Sequence, residues 1–374
     1  MRRPTTLVAT PVGEQSPLLV PWQATLDPLI QRLFKAFALH DHEKVMTLVR
    51  QGAPVDGKNQ NGDTLLLLSA INGSVDLCNF LLSNGAQTDL RDSFKRTALM
   101  NAAGHGQRGV CEALLNAGTG LNCADAHGKT ALYMAAQLDN VANVDIASLL
   151  LARGAQVDSA GKWGVTPLML AAKLKMMPEA MVTLLLDHGA DIERQDKDGQ
   201  TALHHGAGKG RLGACQILLA RGADANARAK HGVTPLIQAV LNGRQNACRV
   251  LLASGAHIDL AHYNHYTPLM LAAEAGNTAM CRLLVDHGAS LVVTDSLWQT
   301  AFTLAGSSNK RDACELLLLH GDGPQASEVE ALLGHQNLDD GLRQTLGAWL
   351  ASFHARAAVK ELVLTTSCRP GRKP

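Results

Sequence analysis

Six cysteines recur at one position of this chain. Cys78, Cys111, Cys215, Cys248, Cys281 and Cys314 each stand seven residues before a glycine. Thiols at a fixed spacing can ligate a metal, pair as disulfides or act as nucleophiles. Valine or alanine fills the same slot at Val45, Ala147 and Val182, which points to packing. If the slot lies on successive packed helices, the thiols stand ~8–10 Å apart, beyond the ~7 Å Cα separation a disulfide allows. The six are therefore read as small buried hydrophobes, and reduced thiols in that number imply a reducing, cytoplasmic compartment. Cys123 and Cys368 fall outside this register and are the two open to exposure.

The histidines offer little more. His204 and His205 are adjacent, so on a helix their rings point in different directions. His262 and His265 flank a finger tip with Tyr263 and Tyr266, and no acidic or thiol partner is placed by spacing to complete a metal site. His188, His287 and His320 sit just before a glycine, where a histidine caps the last helical carbonyls. The chain contains no G-x-x-x-x-G-K-[ST], no H-E-x-x-H and no C-x-x-C. The reading is of a non-enzyme, with no catalytic residue, metal or cofactor.

The elements that hold these residues repeat. Thr64, Thr97, Thr130, Thr166, Thr201, Thr234, Thr267 and Thr300 open near-identical phrases such as TALMNAA, TPLMLAA and TALHHGA, at steps of 33, 33, 36, 35, 33, 33 and 33 residues. Such self-similarity is the signature of stacked supersecondary units. Threonine supplies an N-cap, and proline or alanine follows where a missing N–H costs nothing. The first helix of a unit ends at Gly73, Gly106, Gly210, Gly243 or Gly276, and at Asn309 in the last. A second helix carries a leucine pair and ends at a Gly-Ala step, as at Gly85-Ala86 and Gly222-Ala223, with Gly118-Thr119 and Gly321-Asp322 in the same slot. A turn containing Asn61-Gly62, Asp198-Gly199 or a relative then leads to the next threonine. Lys95, His265 and Trp298 replace the turn glycine, so those turns differ in backbone shape or carry strain.

The 33-residue period, the T-P/A-L opening and the closing L-L-x-x-G-A resemble ankyrin repeats over roughly residues 29–322. The resemblance implies an all-α repeat solenoid of about nine units, the first atypical. Each unit would consist of a β-hairpin finger, an inner helix and an outer helix. The family's histidine after T-P-L occurs once, as His204, so the inter-repeat bond it makes is expected at a single junction. Residues 1–28, with prolines at 4, 11, 17, 21 and 28, read as an extended or disordered arm without an export signal's apolar core. Residues 323–361 read as a C-terminal helical cap, with Ser327 and Glu330 as a capping box and Leu342, Leu346, Trp349, Leu350 and Phe353 at helical spacing. Residues 362–374 read as a disordered tail.

Charge is balanced, with 34 Lys+Arg against 33 Asp+Glu in 374 residues, so bulk electrostatics gives no drive toward nucleic acid. No apolar run approaches the ~18 residues of a membrane span. The resemblance places partner contacts on the fingers and the exposed ends of the inner helices. Arg91, Phe94, Arg96, Lys162, Trp163, Lys197, Lys230, His231, Tyr263, Tyr266, Leu297 and Trp298 occupy the finger segments. Phe94, Trp163, Tyr263, Tyr266 and Trp298 are the informative ones, because aromatics mark interaction hot spots and fingers project into solvent. The expected function is a protein–protein interaction module, acting as scaffold, adaptor or inhibitor and, by resemblance, as a monomeric stack. The alternatives are a bacterial effector binding a host protein with the same face and, more remotely, an enzyme with a site in the terminal segments. The steps of 36 and 35 residues come from insertions near Asp139–Val144 and Lys173–Pro178, which lengthen a helix or turn or else expose Met176-Met177 as an adaptable surface.

Overall fold

A computed structural model describes residues 27–140, 142–176, 178–320 and 324–367, the side chains of 357–367 excepted. Residues 1–26 of the arm, Met177, the Gly321-Asp322 step, Cys368 and the rest of the tail lie outside the described residues. The helices come in pairs. The first pair is α1 (Pro28–Ala38) and α2 (His42–Arg50); then follow α3 (Leu65–Asn72) with α4 (Val75–Ser83), α5 (Ala98–Gly104) with α6 (Arg108–Asn116), and α7 (Ala131–Gln137) with α8 (Ala142–Ala152). The middle pairs are α9 (Pro167–Ala171) with α10 (Pro178–Asp187), α11 (Ala202–Lys209) with α12 (Leu212–Ala220), and α13 (Pro235–Leu241) with α14 (Gln245–Ala253). The chain closes with α15 (Pro268–Glu274) and α16 (Thr278–Asp286), α17 (Ala301–Ser307) and α18 (Arg311–Leu319), and α19 (Ala326–Leu333) and α20 (Asp340–Ser367).

Each inner helix is short because its ends are fixed chemically. The threonine hydroxyl accepts the N–H of the third helical residue, as from Leu67 to Thr64 at 3.3 Å and from Met270 to Thr267 at 3.3 Å. The far end turns left-handed at Gly73 (φ 76°), Gly210 (φ 69°) and Asn309 (φ 56°). Inner helices pack on inner helices and outer on outer, so each pair packs chiefly against its neighbours. The shared core is built of leucine, alanine and the cysteine slot. Such a stack has no deep centre; it gains stability pair by pair.

A polar ladder sews the loops after the outer helices. Asp56, Asn122, Asp158, Glu193, Asn226 and Asp259 each accept a backbone N–H one repeat on, from Gln87, Gln156, Asp191, Asp224, His257 and Ser290. At the C-terminus, Thr300 donates to Glu328 at 3.0 Å, and Asn309 donates to the Asn337 carbonyl while accepting from Asp339 N–H.

Three details differ from the sequence reading. The fingers are hydrogen-bonded turns and not strand pairs; among the described residues there is one isolated bridge, Lys58 to Thr64. The capping box at α19 is Gln325 with Glu328, since the helix starts one residue before Ser327. Helix α20 runs on to Ser367, past the boundary placed at 361. The two insertions meet as loops: the Asp139 carboxylate accepts the N–H of Lys175 at 3.0 Å and of Met176 at 2.6 Å. Met176 is exposed beside this clamp.

Candidate functional site

The fingers are built on a buried or half-buried carboxylate or amide five residues before the capping threonine. Asp92 Oδ1 accepts the N–H groups of Phe94 and Arg96, both at 2.9 Å, and Asn59, Asp125, Asp196 and Asp295 repeat the pattern. This closes the turn and holds its tip outward. Successive fingers are joined by backbone bonds: Ala126 N–H to the Phe94 carbonyl, Lys162 to His127, Lys197 to Trp163, Lys230 to Asp198 and Ser296 to Asn264.

The length of each bond follows the residue after the accepting carbonyl. Where it is Gly128, Gly164 or Gly199, the bonds are 2.6, 2.9 and 2.9 Å; a Cβ at Gly164 or Gly199 would lie 3.1 Å from the approaching nitrogen. Where it is Lys95 or His265, they lengthen to 3.1 and 3.3 Å. Lys95 (φ 63°), His265 (φ 61°) and Trp298 (φ 63°) keep the left-handed backbone of the glycines they replace. Of the two outcomes the sequence left open, these turns keep their shape and carry the strain.

The sequence-selected residues divide into two groups. Phe94, Trp163, Tyr263, Leu297 and Trp298 are exposed, Trp163 by 66% and Trp298 by 85%. Around Trp163 the Lys162 and Lys197 ammoniums each stand 5.7 Å from the ring centre. His231 is exposed and lies 5.1 Å from the Tyr263 ring. The others are tied into the scaffold. Tyr266 is half-buried, stacked on His262 and packed against the core, so it does not project as read. Arg91 donates to the Ala124 carbonyl at 2.8 Å, across a repeat junction. Arg96 pairs with Asp92 at 2.8 Å and lies over the Phe94 ring, and Lys230 pairs with Asp198 at 3.3 Å.

The buried titratable groups serve packing. The six slot cysteines are buried and unbridged; burial pushes the Cys78 thiol up to about 11 and the other five up to about 12. Cys123 is half-buried. His204 Nε2 meets the Val233 carbonyl of the next repeat at 3.0 Å, and its Nδ1 meets Thr201. His205 turns away to Asp196, 2.9 Å distant, and burial together with the Lys173 ammonium holds its pKa down at about 4. His188, His287 and His320 each bond the carbonyl four residues back. Among the described residues, no three His, Cys, Asp or Glu side chains are placed to hold a metal ion, and no helix is long and apolar enough to cross a membrane.

Sequence reading missed one feature of the surface. At the ends of the inner helices away from the threonine caps, two adjoining grooves of about 500 and 460 Å³ run from Asp139 past Lys173 and Lys175 to Lys209, Arg211 and Arg244. A scan of the position ten residues after each threonine would have found part of it, since Arg211 and Arg244 stand where three other repeats carry Ser74, Gln107 and Asn277 and the last carries Lys310. Lys173 and Lys175 come from the insertion and have no such register.

A family model described as ankyrin repeats (three copies) matches overlapping segments 33–125, 80–161, 110–196, 168–262 and 260–328. A search of curated proteins found no matching relative.

Proposed function

The chain belongs to the ankyrin repeat family, whose repeats mediate protein–protein interaction, and on that premise we propose that it is a non-enzymatic module that holds a protein partner against its fingers, as a scaffold, adaptor or inhibitor. The observation that carries this is the exposure of Phe94, Trp163, Tyr263, Leu297 and Trp298 on the fingers of four repeats. Aromatic side chains bury large areas and dominate interfaces when covered. The chain has only six Phe, four Trp and three Tyr, so leaving several of them in water has no benefit for folding. The scaffold supports a rigid presentation: each finger is pinned by its turn aspartate or asparagine, or by its bond to the finger beside it. A partner would then meet aromatics whose ordering cost is already met by folding. Cytoplasmic residence fits six unbridged thiols.

The test is affinity capture from lysate of the source organism, with mass-spectrometric identification and then calorimetry on the purified pair. Trp163→Ala, Tyr263→Ala and Trp298→Ala together should weaken the captured complex at least 100-fold while the helical signal and melting temperature hold. Undiminished binding by that triple variant would refute a finger-based interface.

A further inference from the structure

We propose that the groove lined by Lys173, Lys175, Lys209, Arg211 and Arg244 is a second binding site, which takes an acidic peptide segment. It lies at the opposite ends of the inner helices from the fingers and stands whether or not the fingers bind a partner.

The argument begins with unbalanced charge. These five cations, from three repeats, line two grooves that share Lys209, Arg211 and Arg244 and so form one continuous channel across four. One carboxylate, Asp139, lines it, and its oxygens are occupied by the Lys175 and Met176 N–H groups. None of the five cations forms an ion pair among the described residues. Arg211 and Arg244 use only their Nε groups on the scaffold, donating to the Lys173 and Gly208 carbonyls at 3.2 and 3.4 Å. Two of the finger cations differ in this respect: Arg96 and Lys230 have carboxylates of their own at 2.8 and 3.3 Å.

Like charges gathered without counterions destabilise a fold, and this gathering is local. At the position of Arg211 and Arg244 the repeats toward the N-terminus have Ser74 and Gln107, the next repeat has Asn277, and only the last repeat has another cation, Lys310. At the position of Lys209 stand Asn72, His105, Asn242, Ala275 and Ser308. The repeat architecture does not require cations there. Burial lowers the pKa of Lys173, and the neighbouring Lys209 lowers it further, against the pull of Asp196; an anion in the groove would relieve that repulsion. Arg211 and Arg244 are also the residues preceding α12 and α14, nine-residue helices that begin without a side-chain cap, so the helix dipoles favour the same sign of ligand.

Shape and lining select the ligand class. The channel is open and elongated, which suits an extended chain better than an enclosed small molecule. Leu170 and Leu174 line it between the cations, and Met176 is exposed next to Lys175, offering apolar contact for side chains between acidic residues. No aromatic residue lines it, so it lacks the stacking platform that single-stranded nucleic acid uses.

The experiment is fluorescence anisotropy on the full chain, with a fluorescein-labelled peptide of twelve glutamates as probe, and a twelve-lysine peptide and a twelve-thymidine oligonucleotide as comparisons. The glutamate peptide should bind, more weakly as salt rises, and the lysine peptide should not. The Lys175 and Lys209 side chains are exposed and make no hydrogen bond among the described residues, so Lys175→Glu with Lys209→Glu should leave melting unchanged and weaken binding at least tenfold. Trp163→Ala should leave it within twofold. Should the charge reversal disturb folding, Lys175→Gln with Lys209→Gln decides, with a three- to tenfold loss expected. Absence of glutamate-peptide binding, equal binding by the lysine variants, or tighter binding of the oligonucleotide would each overturn the proposal.

Discussion

At the residue scale, identical side chains are given different work by burial. His204 and His205 are neighbours, yet one bridges two repeats through the Val233 carbonyl and the other meets Asp196 within its own repeat. His205 is held neutral, with its pKa about 4 against an ordinary 6.5. A histidine with a depressed folded pKa binds its proton more readily in the unfolded chain, so its contribution is present above pH 6.5 and is lost as pH falls toward 4. Acidification over that interval should cost wild type about 2 kcal/mol through this residue. His205→Gln should remove that share, and urea titrations of both proteins at pH 7 and pH 4.5 would show the two stabilities converging on the acid side. Parallel pH profiles would mean that His205 titrates normally. The doublet itself was legible in the sequence. The Lys173 that presses on His205 was not, because it arrives from the preceding repeat.

At the element scale, the finger turn sets the spacing between repeats. A left-handed backbone costs a residue with a Cβ roughly 1–2 kcal/mol, and Lys95, His265 and Trp298 bear that cost. Lys95→Gly should raise stability by about 0.5–1 kcal/mol, after the entropy glycine adds to the unfolded chain. Gly199→Ala should lower it by more than about 1 kcal/mol, since its Cβ would press on the Lys230 nitrogen that bonds Asp198. Thermal melts of the two variants should move in opposite directions; a shift of the same sign in both would undo the account of the turns. The glycine replacements were visible in the sequence as gaps in a pattern. That all three keep the left-handed shape, with longer bonds to the next finger beside Lys95 and His265, was settled only by the packing of one finger on another.

At the scale of the whole molecule, the stack is nearly one-dimensional, so its weakest junction governs how it opens. The insertions place two irregular loops at the same junction, and Asp139 ties them together through the N–H groups of Lys175 and Met176. Asp139→Ala removes that clamp. Amide exchange at Lys175 and Met176 should accelerate at least tenfold while the amides of α4 and α14 keep their wild-type protection. Acceleration spread evenly along the chain would show that the clamp acts on global stability alone. The terminal pairs serve the same architecture: α19 and α20 cover the apolar face of the last repeat and bond it through Glu328, Asn337 and Asp339.

The repeat, its period, the capping threonines, the left-handed helix ends and the thiol slot are all readable along the chain. Each of these is local, because a hydroxyl three residues from an orphan N–H, or a glycine at a helix end, acts within one turn of chain. The sequence also marked which fingers carry aromatics. Tertiary structure decided what those side chains do. Tyr266 folds back onto the core while Trp163 and Trp298 stay in water, and Arg91 spends its donors on a neighbouring carbonyl. Lys173, Lys175, Lys209, Arg211 and Arg244, scattered over 72 positions of sequence, become one charged channel. Stacking converts residues about one period apart into neighbours, and their fields add only once the repeats are in register.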